Sequence, residues 1–219
     1  MPRRTWWVLL AVLVMVFGVT TWIAGQQDES VPSNVQRLGP EAGEPVASYL
    51  RRASASLPAG HSSSWALVQL DSYLTPDRAA ALIQGVRLSK VVFRVPLPRL
   101  QTALIIRDLP GQQPAGELAM AQRSAAAQRL AASRAAPDHR SAAVATAEAA
   151  KLDRGCACVL ALLVFGDGDA LRTVAARPDA RAVQAAAPNT SIEDLAIAPL
   201  LPEQTEVAGP VPDDGPAPS

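Results

Sequence analysis

Cys156-Ala157-Cys158 brings together the only two thiols of the chain. A cysteine pair offers a disulfide, a dithiol redox couple or two thiolate ligands for a metal. In a regular strand, residues i and i+2 lie about 6.6 Å apart with parallel side chains, whereas a disulfide needs Cβ atoms about 3.8 Å apart, so a bond here requires a bulge. The two histidines, His61 and His139, do not stand at ligand spacing from the cysteines. Packing of two small buried side chains is therefore the first reading of Cys156 and Cys158, with a structural or intersubunit disulfide second and redox or metal use third.

Other fragments approach known chemistry and fall short. Gly60-His61-Ser62-Ser63-Ser64 has Ser64 where a Gly-x-Ser-x-Gly nucleophile elbow needs its last glycine. It also precedes a predicted strand instead of following one. Asp167 and Asp169 flank Gly168, but the later ligands of a calcium-binding hand are missing, and turn and helix-cap duty accounts for both. No phosphate-cradling glycine loop, dinucleotide fingerprint or kinase signature occurs. The chain is read as a non-enzyme, with no cofactor and no metal expected.

The elements that must position these residues follow from period and punctuation. Residues 65–70 read as a strand, Thr75 as a helix N-cap, Pro76 as the first helical residue, Gly85 as the stop, and 86–95 as a second strand. The same grammar recurs with a strand at 156–165, a turn at 166–169, a helix to Ala176, a stop at Pro178 and a strand at 181–186. Two strand-helix-strand units in succession predict an α+β fold with a ferredoxin-like sheet. Residues 102–107 add a strand, joined to 91–95 as an edge hairpin through the proline-bearing stretch 96–100. A short helix is expected over 45–57, and Thr190 to Glu193 fits a capping box opening a helix toward Ala198.

Between the units lies an Ala-rich insertion, 116–153, with alanine at 15 of the 35 positions from 116 to 150 and Pro137 inside it. Alanine loses least on entering a helix and proline breaks one, so two helices with a break at 136–138 are expected. The strand at 156–165 is apolar on both faces, with Leu160, Leu162 and Val164 alternating with Val159, Ala161 and Leu163. Such a strand needs cover on both faces. The Ala-rich helices are predicted to supply it, the alternative being that they project as a stalk.

The chain around this domain is patterned for a membrane. Residues 6–24 carry no charge and as a helix would span about 28 Å, the thickness of a bilayer core. Trp6, Trp7 and Trp22 stand where interfacial aromatic belts form, Arg3 and Arg4 precede the run, and Asp28 and Glu29 follow it. The positive-inside rule then leaves the N-terminus in the cytoplasm and everything after Gly25 outside. Cleavage as a secretory signal is the competing reading, disfavoured by bulky Trp22 or Ile23 where a small residue is needed.

Twenty basic and 20 acidic residues cancel, which removes the electrostatic case for a nucleic-acid partner. The zero hides a pattern: residues 26–181 hold 18 bases and 14 acids, while 182–219 hold six acids and no base. Eighteen of the bases are arginine, and with 42 alanines and 19 prolines the composition suggests high-GC bacterial coding.

The expected organisation is a cytoplasmic tip and transmembrane anchor (1–25), a linker (26–44), an extracytoplasmic α+β domain (45–199) and a disordered, Pro-rich acidic tail (200–219). The expected function is that of a single-pass, plasma-membrane-anchored binding or regulatory module of a bacterial cell envelope, with a protein partner. The alternatives are an envelope thiol-redox protein using Cys156 and Cys158, or a structural subunit of a membrane complex.

Overall fold

Apolar alternation and turn residues build a mixed α+β architecture with two sheets. The computed structural model describes residues 35–218. Its elements in chain order are β1 (Gln36–Leu38), α1 (Val46–Ala55), β2 (Ser63–Leu74), α2 (Pro76–Leu82), β3 (Arg87–Phe93), β4 (Ile105–Asp108), α3 (Pro114–Arg134), α4 (His139–Asp153), β5 (Val159–Asp167), α5 (Gly168–Ala175), β6 (Ala180–Ala185), a 3-10 turn (Ile192–Asp194) and β7 (Leu195–Ile197).

The larger sheet has strand order β4-β3-β5-β2-β6 with every neighbouring pair antiparallel. β5 is thus inserted between β2 and β3, the two strands joined by α2, and β2 lies between β5 and β6, the two joined by α5. β1 and β7 form a separate parallel pair, Gln36 opposite Leu195 and Leu38 opposite Ile197.

Local chemistry sets the helix ends. Thr75 accepts from the Arg78 amide and Pro76 takes the first helical position of α2. Asp138 accepts from the Ser141 amide at 2.8 Å and opens α4 just beyond Pro137, so the Ala-rich stretch is two helices, as its single proline predicts. Asp167 caps α5 by accepting from the Ala170 amide at 2.8 Å.

The placement of the Ala-rich helices differs from expectation. They lie on the same face of the large sheet as α2 and α5, where Leu118, Ala125 and Leu152 join Leu82, Leu171, Val68 and Leu162 in one core. The other face is covered by the flanks of the domain: Leu38, Leu201 and half-buried Ile192, Leu195, Ile197 and Val211 close over Leu67, Val92, Leu160 and Leu163. Short strands and apolar residues from both ends of the domain together supply that cover, Leu160, Ala161 and Leu163 of β5 all being fully buried.

Several boundaries shift for related reasons. β5 begins at Val159, not at Cys156, and Leu160 is an extra residue between the pairs Val159–Phe93 and Ala161–Val92. The strict two-face alternation therefore fails there: Cys158 and Val159 both join the helical core, Leu160 and Ala161 the opposite one. Of the expected linker, residues 36–44 are a strand and a loop belonging to the domain, with the Gly39 amide donating to buried Gln184 at 2.7 Å. The residues expected as a disordered tail have little regular structure but are seated, Leu200 and Ala208 being buried against Val46, Tyr49 and Ala53 of α1. The expected helix toward Ala198 is a single 3-10 turn followed by β7.

Among the described residues no helix is long and apolar enough to cross a membrane. The expected span at 6–24, with Trp6, Trp7, Trp22, Arg3 and Arg4, lies outside the described residues.

Candidate functional site

The two cysteines meet where α4 hands over to β5. Gly155, at φ +75°, ends the helix in the left-handed region, and the Cys156 amide donates to the Lys151 carbonyl at 3.2 Å. Residues 156–158 are thereby outside strand geometry, their outer Cα atoms are 5.3 Å apart, and Cys156 and Cys158 form a disulfide. Strand geometry would keep the two sulfurs apart, but the strand begins only at Val159. Cys158 is fully buried and Cys156 half-buried.

Gln122 of α3 clamps this loop: its side-chain amide donates to the carbonyls of Leu152 (3.1 Å) and Cys156 (3.2 Å) and reaches Cys156 Sγ at 3.8 Å. Its carbonyl oxygen is buried without a partner. On the far side the Arg94 amide donates to the Cys158 carbonyl at 2.9 Å, tying the loop to the end of β3.

Arg94 opens a second cluster. Its guanidinium, 4% exposed, donates to Tyr73 Oη, to Glu203 at 3.0 Å and to the Leu100 carbonyl at 3.3 Å. A buried cation is tolerated only with such partners, since desolvation must be offset by charge and hydrogen bonds. Burial pushes the Tyr73 phenol up to about 12, the positive Arg94 opposing and Glu203 adding to the shift, so Tyr73 remains a neutral donor to Glu203 at 3.2 Å. A cavity of about 310 Å³ lies beside Arg94, between Leu97, Leu100 and Pro212.

His61, Asp167 and Asp169 also converge, their ligand atoms lying within 4.8 Å of one another. Asp167 spends one oxygen on the α5 cap and Asp169 one on Arg172 at 2.6 Å, while the His61 side chain is 93% exposed. Cap and turn duty describes the two aspartates, as their spacing predicts.

The structure thus joins Cys156 and Cys158 and adds Gln122, Arg94, Tyr73 and Glu203, which sequence reasoning did not single out. Arg94 did carry a signal, being the one charge in the apolar run 91–97. No protein-family model matches the chain, and no curated protein or solved structure matches it either.

Proposed function

We propose that the chain is a single-pass membrane protein of a bacterial cell envelope whose extracytoplasmic domain binds or regulates a protein partner. The observation that carries the reading is the Cys156–Cys158 disulfide, since such bonds persist in oxidising compartments and are rare in the cytosol. It lies C-terminal to the charge-free run 6–24, on the side where Arg3 and Arg4 would leave the domain outside. The fold proposal is ferredoxin-like, supported by the interleaved order β6-β2-β5-β3 of two strand-helix-strand units, with β4 as an added edge.

The test is topological. A reporter active only outside the cytoplasm, fused after Ser219, is expected to be active, and mass analysis of alkylated, unreduced protein from cells is expected to find both cysteines blocked. An inactive reporter together with two alkylated thiols overturns the reading.

A redox role is the second reading, favoured by the half-buried position of Cys156, the less buried of the two cysteines. Cys156→Ser that leaves every cellular phenotype of the wild type intact would remove it.

A further inference from the structure

Residues 211–215 are held as a ligand is held. From 211 to 215 the main-chain carbonyls at every second position are bound: Gln101 Nε2 donates to the Val211 carbonyl at 2.9 Å, and Arg140 donates to those of Asp213 (3.0 Å) and Gly215 (2.7 Å). The Gly215 amide donates back to the Arg99 carbonyl at 2.8 Å. Side chains add charge: Asp213 accepts from the Gln101 amide at 3.0 Å and from Arg140 at 3.3 Å, and Asp214 pairs with Arg99.

Fit is close at one end and loose at the other. A Cβ on Gly215 would sit 2.7 Å from the Pro98 carbonyl oxygen and 2.8 Å from that of Arg99, so glycine alone passes there. At Val211 and Pro212 the seat is unfilled, because the cavity of about 310 Å³ opens between these residues and the apolar Pro96, Leu97 and Leu100. Backbone capture, paired carboxylates on arginines and an apolar pocket are the parts of an extended-peptide recognition site. The ion pair that Arg99 makes with Asp214 is about 60% exposed on both sides, so it holds the segment weakly.

We propose that the groove formed by residues 96–101 and Arg140 is a docking site for an extended acidic segment of a partner protein, and that residues 211–215 occupy it in cis. The partner segment carries an apolar residue larger than valine, then proline, two adjacent carboxylates and glycine; the larger residue fills the cavity that Val211 leaves open. This deepens the binding-module reading by naming the site and its ligand chemistry. It does not depend on which side of a membrane the domain lies.

The experiment uses the full chain in mild detergent and a fluorescein-labelled peptide of residues 209–217. In the Asp213→Lys/Asp214→Lys variant, which vacates the site, anisotropy is expected to show salt-sensitive binding at least about tenfold tighter than in wild type, where the tethered segment competes at high effective concentration. A second peptide with leucine in place of Val211 should bind tighter still. Adding Arg99→Ala and Arg140→Ala should abolish binding with an unchanged circular dichroism spectrum. In wild type the Gly215 amide should be protected from hydrogen exchange.

Equal affinity for wild type and variant, no binding by a folded variant, or an unprotected Gly215 amide would each overturn the proposal. Concentration-dependent dimerisation of wild type that the two arginine substitutions abolish would assign the groove to the tail of a second copy and overturn the partner reading. Failure of the topology test leaves the peptide titration unaffected, so the two readings fail separately.

Discussion

Glu148 is fully buried on α4 and holds three elements at one point: Oε2 accepts from Arg129 Nε of α3 at 2.7 Å, and Oε1 accepts from the Ala103 amide, in the segment before β4, at 2.8 Å. Glu148→Ala removes two hydrogen bonds that involve a charge, each worth about 1.5–3 kcal/mol, and breaking a buried ion pair from one side costs about 3–5 kcal/mol. Arg129 is 19% exposed and can turn part of its guanidinium to water, which moves the expectation to the lower end, about 3 kcal/mol. Glu148→Gln keeps an acceptor for Ala103 and should lose roughly half as much. Urea unfolding followed by circular dichroism reads the difference as a fall in midpoint of about 1–2 M. In a double-mutant cycle with Arg129→Ala, a coupling of at least about 1 kcal/mol is expected. A loss below about 1 kcal/mol for Glu148→Ala, or strict additivity with Arg129→Ala, would refute the assignment of this pair as the tie between the helices and the β3–β4 connection.

Two further outcomes follow from single residues. Burial pushes the Glu117 carboxyl up, but the amides of Gln113, Gly111 and Gln112, 2.7–2.9 Å away, outweigh it and hold the group below its usual 4.5. Because the folded value is depressed, the stability it contributes is full above the unfolded value and is lost as pH falls through the folded one. Glu117→Gln should therefore unfold earlier than wild type at pH 7, with the gap closing below about pH 4.5, and an equal gap at pH 3 and pH 7 would contradict this. Gly39, at φ +130°, presses on the backbone of Ala198, so Gly39→Ala should cost about 2 kcal/mol or more and release the Ala198 amide, which donates to the Leu38 carbonyl at 2.8 Å, to fast hydrogen exchange.

Local signals were legible where local chemistry decides. Thr75-Pro76, Pro137-Asp138 and the runs 86–95 and 181–186 are punctuated by residues whose backbone preferences act within one or two positions. What could not be read was partnership at a distance. β1 is three residues of unremarkable composition and becomes a strand only because β7 lies beside it. The acidic segment after residue 200 reads as solvated until Gln101, Arg99 and Arg140 come together from a loop and a helix start. Cys156 and Cys158 fall between these cases: the pair is plain in the sequence, but bonding turns on whether β5 starts before or after them, which pairing with Phe93 decides.

The parallel pair β1–β7 also fixes an order of events. Gln36 faces Leu195, close to the other end of the domain, and Leu38 and Leu201 share the core over β5. A chain made from its N-terminus presents β1 early, yet β1 has no partner until nearly the whole domain has been synthesised. The five-stranded sheet can assemble with its helical face complete while Leu67, Val92, Leu160 and Leu163 still face solvent. Closing that face waits on the last segment, a long-range contact of the kind that slows folding and leaves apolar surface open to association in the interval. Chains truncated before β7 should on this account be the aggregating ones, even though every strand of the large sheet is present in them.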